Sequence, residues 1–219
     1  LLATAGKAAR RNNIALYNCS ALPLDSIDSF VEELLIAMAG SGVGFSVEKH
    51  HVDKLPTVIP QRGIMRSSFI IPDSTEGWAQ AFRLGLETWF GGGDINFDYS
   101  LVRPAGAVLK TKGGRSSGPE PLKQLLDFTR QVILKRQGKK LRSIDAHDVA
   151  CKVGETIVSG GHRRSALISL FDIDDEEMLT CKNGDNIMGM EHRWMANNSA
   201  VWKDSISSSQ FLKQMYLMV

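Results

Sequence analysis

Apolar positions recur at helical spacing in four stretches of the chain. Across residues 25–40, Ile27, Val31, Leu34, Leu35 and Met38 fall on one face, Asp25 or Ser26 stands where an N-cap belongs, and Ser29 and Glu32 have capping-box spacing. This pattern predicts a helix. Across residues 73–90 the same spacing relates Trp78, Ala81, Phe82, Leu86 and Trp89, with Asp73 as cap and Gly91, Gly92 and Gly93 as stop, and predicts a second. Residues 121–137 and 145–159 supply two more, with Leu122, Leu125, Leu126 and Thr129, then Val149, Val153 and Ile157, on their inner faces. Glycine ends each of them. An acidic helix is expected over 174–181, where Asp172, Asp174, Asp175, Glu176 and Glu177 place negative charge at a helix N-terminus. Short apolar or alternating runs at 14–18, 43–47, 166–171 and 194–202 predict strands, and the glycine- and cation-rich stretch 103–121 predicts a surface loop. Strands alternating with helices of this length indicate an α/β layer or barrel with a largely buried sheet.

Composition narrows the function classes more than the fold. The 219 residues are 43% apolar, enough for a sizeable core, and 26 Lys plus Arg against 24 Asp plus Glu leave a formal charge of +2. No global field marks a nucleic-acid binder, so any anion is held locally. Three widely spaced cysteines, Cys19, Cys151 and Cys181, argue for a reducing compartment, the cytoplasm, over a secreted disulfide framework. No apolar run of about 20 residues suggests a membrane span, and no membrane partner is expected. Leu1-Leu2-Ala3 lacks an initiator Met and Tyr216-Leu217-Met218-Val219 stops in mid apolar pattern, which gives the expectation of a piece cut from a longer polypeptide.

Several groups are candidates for chemistry. Gly40, Gly42 and Gly44 alternate after a helix and before a strand, the reverse of a dinucleotide-binding fingerprint; close ligand approach and plain helix capping both fit. Arg103, Lys110, Lys112 and Arg115 surround Gly106, Gly113 and Gly114. A polyphosphate suits such a loop, as does a solvated basic surface. Gly160-Gly161-His162-Arg163-Arg164-Ser165 leads into a core strand, the edge of the sheet where α/β proteins bind ligands. Cys19, between Asn18 and Ser20, has polar flanks unusual for a packing cysteine. Cys151 lies four residues after His147, a spacing that permits a metal pair but fits core packing better. Cys181 and His192 carry no clearer signal, no metal site is expected, and the adjacent rings of His50 and His51 are expected to diverge. Asn197-Asn198-Ser199 breaks an apolar strand, as an inward polar surface facing a ligand or a β-bulge would.

Taken in order, these blocks resemble the monomeric, adenosylcobalamin-dependent (class II) ribonucleoside-triphosphate reductases. The resemblance rests on Tyr17-Asn18-Cys19-Ser20, the Ser41 to Glu48 block, Phe97-Asp98-Tyr99-Ser100 with Arg103-Pro104, Lys110-Thr111 with Gly113-Gly114-Arg115-Ser116, Asp145-x-His147-Asp148, the Gly160 to Ala166 block and Ala196-Asn197-Asn198-Ser199. It implies part of a ten-stranded α/β barrel with an inserted helical effector-binding region at 47–121 and a specificity loop at 160–165. The implied activity is reduction of the ribose 2′-hydroxyl by a thiyl-radical mechanism, with adenosylcobalamin as cofactor, thioredoxin as electron donor and deoxynucleoside triphosphates as effectors.

Under that resemblance Cys19 is the first of two reducing cysteines. Asn18, Ser20, Gly42, Gly44, Gly161, Arg163, Arg164, Asn197 and Asn198 fall on the substrate side, and Glu48, Lys49, Arg103, Lys110, Lys112 and Arg115 in the effector region. The family's radical cysteine, the partner of Cys19, the cobalamin-binding segments and the cysteines that accept electrons from thioredoxin lie beyond Val219 in the family pattern. Neither Cys151 nor Cys181 has the flanks to replace them. The isolated chain is therefore expected not to turn over, and a non-catalytic nucleotide-binding module that keeps only the allosteric loops stands as the alternative.

Overall fold

The strand–helix–glycine turn–strand order read near the N-terminus is realised as a β1–α1–β2 unit: β1 (Cys19–Pro23), α1 (Ile27–Met38) and β2 (Gly42–Ser46). The computed structural model describes residues 6, 10, 13–108, 115–159, 166–202 and 205–217. Ser26 caps α1 by accepting from Ser29 N, and Gly40, at φ 89°, supplies the left-handed turn that reverses the chain into β2. After a single-turn helix α2 (Lys49–Val52) come β3 (Ile64–Ile70), α3 (Thr75–Phe90) and β4 (Gly93–Asp98). Next follow α4 (Glu120–Leu134), α5 (Ser143–Ser159), β5 (Leu167–Asp172), α6 (Glu176–Thr180), β6 (Ala196–Val201) and α7 (Ser208–Leu217).

The strands form two parallel sheets, one four-stranded in the order β1-β2-β5-β6 and one two-stranded, β3-β4. In the larger sheet, Val43, Phe45, Leu167, Phe171 and Ala196 point to one face and are buried beneath α1 and α5. Edge strand β1 ends in Pro23, tolerable where no further strand needs its missing N–H. The smaller sheet joins the same core through α3, whose Trp89 and Phe82 are buried. Asp94 of β4 accepts hydrogen bonds from Trp89 Nε1 (3.2 Å) and from Arg130 Nε of α4 (2.9 Å), so one carboxylate ties three elements together. Parallel strands with helices between them are the α/β arrangement anticipated from the sequence.

Three departures have local causes. The strand expected at 14–18 is a 3-10 turn over Ile14–Leu16, and pairing begins only at Cys19, opposite Gly42. The strand expected over 194–202 opens as a 3-10 turn, Glu191–Met195, whose Arg193 is anchored inward, and becomes β6 only at Ala196. Within 47–121, expected to be a helical insertion, β3 and β4 form a sheet of their own.

Helix α1 is buried more widely than its Val31–Leu34 face requires, because α3 and α5 also pack on it. The second buried stripe, Phe30, Glu33 and Ala37, holds an ionisable group. Glu33 is 0% exposed, and neither carboxyl oxygen has a hydrogen-bond partner among the described residues. Burial raises its pKa well above the ordinary carboxylate value. The folded state therefore retains a proton that the unfolded chain releases, so stability falls as pH rises from the ordinary carboxylate pKa toward the folded one. Glu33→Met is expected to raise stability at neutral pH by about 1–3 kcal/mol, the cost of an unpaired buried polar group, and to flatten that decline. Thermal unfolding across pH checks both, and an unchanged or lowered neutral-pH midpoint would refute the assignment.

Candidate functional site

Among the described residues, helices cover one face of the larger sheet only. On the other, register places Cys19 beside Gly42, and Ala21, Gly44, Ile168 and Asn197 in the next row across the strands. Cys19, Ala21 and Asn197 are exposed, and Ile168 retains 47% of its surface. Small residues at the first four of these positions leave an open floor. A Cβ at Gly42 would sit 3.7 Å from Cys19 Sγ and 3.3 Å from the Ala166 carbonyl oxygen. Glycine there keeps the flank of the thiol clear. The strand ends are fixed by Gly42 N donating to Asn18 O (2.9 Å) and Val43 N donating to Ala166 O (3.0 Å). Residue 166 thus delivers the chain from 160–165 to the side of Gly42, while Gly161, Arg163 and Arg164 themselves lie outside the described residues.

Not every candidate joins this face. Ser20 points to the other side of β1, and its hydroxyl donates to Gly42 O (3.2 Å). Asn198, one residue after Asn197, also points toward the helices, where Nδ2 donates to Cys181 Sγ at 3.2 Å. The strand's period of two separates the asparagine pair that the sequence had joined. Asn18 is exposed immediately before β1.

The other two cysteines are packing residues. Cys151 and Cys181 are buried, and burial raises both thiols, Cys151 the more strongly. Cys151 Sγ lies 3.4 Å from His147 Nε2, whose Nδ1 pairs with Ser169 Oγ at 2.9 Å. Burial pushes the His147 imidazole down to about 3, so this group is a neutral hydrogen-bonded core set. Next to it, Asp148 accepts from Arg193 Nε (2.6 Å) and Nη2 (2.8 Å), with His192 Nε2 at 3.4 Å from Oδ1. The pattern of residues 145–148 was legible as a motif; that it clamps the approach to β6 was not.

The effector candidates occupy two separate places. Arg103 Nε pairs with Asp73 Oδ2 (2.7 Å), and Arg115, which forms an isolated antiparallel bridge with Val108, donates from Nη1 to Gly106 O (2.9 Å). Both lie beyond the end of β4, and Lys110 and Lys112, between them, are outside the described residues. Glu48 and Lys49 follow β2 instead. Lys49 N donates to Asp172 Oδ2 (2.6 Å), joining α2 to the end of β5. Beside them is an open cavity of about 760 Å³ at the C-terminal edge of the sheet, lined by Lys49, His50, Asp53, Asp172, Asp174 and Asp175 among others. Cys19 stands at the opposite, N-terminal edge. The rings of His50 and His51 do not diverge as expected; their centroids are 3.9 Å apart and both reach back toward Glu48. Among the described residues no helix is long and apolar enough to cross a membrane.

No protein-family model matches the chain. Individual proteins do. An adenosylcobalamin-dependent ribonucleoside-triphosphate reductase of Euglena gracilis is 34% identical over 196 residues, 89% of this chain and 27% of the relative. The reductase of the same name from Lacticaseibacillus paracasei is 32% identical over 74% of this chain and 27% of the relative. That from Lactobacillus leichmannii is 28% identical over 79% and 28%. A crystal structure of a B12-dependent (class II) ribonucleotide reductase superposes with a TM-score of 0.76 at 24% identity, over 89% of this chain and 34% of that one. The chain spans about a quarter of the length of the curated relatives it matches. By sequence it is related to one stretch of the adenosylcobalamin-dependent ribonucleoside-triphosphate reductases, and it folds as part of the class II reductase barrel.

Proposed function

We propose that the chain is the part of a ribonucleoside-triphosphate reductase that presents a reducing thiol to the substrate ribose. The observation that carries this reading is the position of Cys19, which is exposed on the uncovered face of a parallel sheet while Cys151 and Cys181 are buried. Its role is that of one of two thiols. Each gives up a hydrogen, the ribose C2′–OH bond breaks, a C2′–H bond and a water form, and the two sulfurs join as a disulfide. The second sulfur and the radical-bearing cysteine belong to residues outside this chain. Thioredoxin then returns the disulfide to two thiols.

Gly42 and Gly44 give the sugar room to lie across the strands beside Cys19, and Asn197 offers it an amide on the same face. Ala166, the described residue that follows them in sequence, lies at this edge beside Gly42, which supports a substrate-side role for Gly161, Arg163 and Arg164. The effector reading centres on Arg103 and Arg115, two guanidinium groups past the end of β4 that engage Asp73 and the Gly106 carbonyl and that a triphosphate would recruit. Adenosylcobalamin, on which the matched relatives depend, would supply radical initiation when bound. The described residues offer it no place beside the thiol: the larger cavity, lined by Lys49, Asp172, Asp174 and Asp175 but also by Ile173 and Trp202, lies at the far edge of the sheet from Cys19. The chain contributes a substrate wall, and no step is assigned to the cofactor through its residues.

Alkylation of Cys19 tests the reading directly. Iodoacetamide is expected to label Cys19 and to spare Cys151 and Cys181, and a ribonucleoside triphosphate is expected to slow that labelling. Labelling of Cys19 at one rate with and without nucleotide would remove the support for a substrate wall.

A further inference from the structure

We propose that Glu48, His50 and His51 form a binding site for a divalent transition-metal ion of the Zn²⁺ type. One ligating atom from each residue lies within 4.8 Å of the other two. Glu48 is held for this task by its neighbour in β2: Ser46 Oγ donates to Oε2 at 2.9 Å, which leaves Oε1 turned toward His50 Nδ1 at 3.9 Å. That separation is too long for a hydrogen bond. It is close to the distance of about 3.3 Å between two ligands on one tetrahedral ion with bonds of about 2.0–2.1 Å. His51 contributes the second observation. Its Nδ1 is buried and has no hydrogen-bond partner among the described residues, an unmet need of the kind that a ligated ion fills.

Charge around the cluster permits the ion. The nearby ammonium groups are engaged elsewhere, Lys49 with Asp53 (2.7 Å) and Lys54 with Asp25 (3.3 Å). Two imidazoles with one carboxylate are a ligand set that first-row ions accept, with a position left for water. His50 is half exposed and also lines the cavity of about 760 Å³, so the remaining position opens to solvent there. Ser46 orients the carboxylate in the manner of an outer-shell partner. The bound ion would fasten α2 to the end of β2, at the sheet edge opposite Cys19. This inference does not depend on the reductase reading.

The test is calorimetric titration of Zn²⁺ into the chain in a Cys19→Ser background, so that the exposed thiol cannot hold the metal. One equivalent is expected to bind saturably and to raise the thermal midpoint. Glu48→Gln and His50→Ala are each expected to abolish saturable binding, and Ser46→Ala to weaken it about tenfold. Because His50 is half exposed, His50→Ala removes a ligand without opening the core, and an unchanged circular dichroism spectrum will confirm its fold. Failure of the parent to bind one equivalent, or binding by His50→Ala and Glu48→Gln with parental affinity, would overturn the assignment.

Discussion

Asp148→Ala is expected to lower the free energy of unfolding by about 3–5 kcal/mol, the usual cost of removing one partner from a buried ion pair. The carboxylate lies on α5 and takes two hydrogen bonds from Arg193, whose side chain is only 10% exposed. Removing it leaves a largely buried guanidinium without its carboxylate partner. Arg193 Nη1 still donates to the carbonyls of Cys181 (2.9 Å) and Asn186 (2.8 Å), which argues for the lower part of that range. The damage extends to topology, since Arg193 sits in the 3-10 turn that aims β6 and therefore Asn197. Replacing both residues, with Asp148→Leu and Arg193→Met, is expected to recover much of the loss, because no unpaired charge remains.

The same pair sets a pH dependence. Burial works to raise the Asp148 carboxyl, but the Arg193 hydrogen bonds and the His192 imidazole outweigh it and hold the group below the usual carboxylate range. Its contribution is therefore present above the unfolded-state pKa and is lost as pH falls through the folded one. Glu33 has the opposite sign, its penalty growing as pH rises. Urea unfolding of the parent and Asp148→Ala at neutral pH measures the first effect, and a difference below about 1 kcal/mol would show that the pair is not the clamp described.

What the sequence could reveal follows from which interactions are local. Helices α1, α3, α4 and α5 were legible because their apolar residues repeat at helical spacing and their ends carry Ser26 or glycine signals. Helix α3, however, is capped by Ser74, whose side chain accepts from Gly77 N, and not by the expected Asp73, which pairs with Arg103. Strand β3 was not: Ile64, Met65 and Ile70 are more than half exposed, so no alternation marks a buried face. Strand β4 begins on the last of three glycines that read only as a helix stop. The start of β1 depends on pairing with Gly42, a contact that residues 14–23 do not encode by themselves. The candidate site divides in the same way. Cys19 stood out by its polar neighbours and the motif around it, whereas the opposite orientations of Asn197 and Asn198 became apparent only with the register of β6 on β5. The Glu48, His50 and His51 cluster was missed because adjacent side chains on a longer helix diverge, and α2 is a single turn.

Cys19→Ser in a full-length reductase containing this segment is expected to abolish repeated turnover while leaving the fold intact. The hydroxyl occupies nearly the same space on an exposed strand position, so stability should change within about 0.5 kcal/mol. The chemistry is what changes. Reduction of each ribose requires two electrons, which become available when two sulfurs join; an oxygen in place of one sulfur cannot form that bond, and thioredoxin then has no disulfide to reduce. Substrate binding should survive, since Gly42, Gly44 and Asn197 are untouched. The expected result is a nucleotide affinity close to the parent's with deoxynucleotide formation limited to a single turnover or less in a thioredoxin-coupled assay. Sustained formation at the parental rate would refute the redox role of Cys19. Loss of nucleotide affinity together with activity would instead assign the residue to binding. Alanine at Gly44 offers a complementary case on the same floor. Its Cβ would meet Ser20 O at 3.5 Å and Ala21 Cβ at 3.7 Å, ordinary contacts the strand can absorb. A folded Gly44→Ala enzyme with weakened substrate binding and normal thiol chemistry would therefore separate the space beside Cys19 from the sulfur itself.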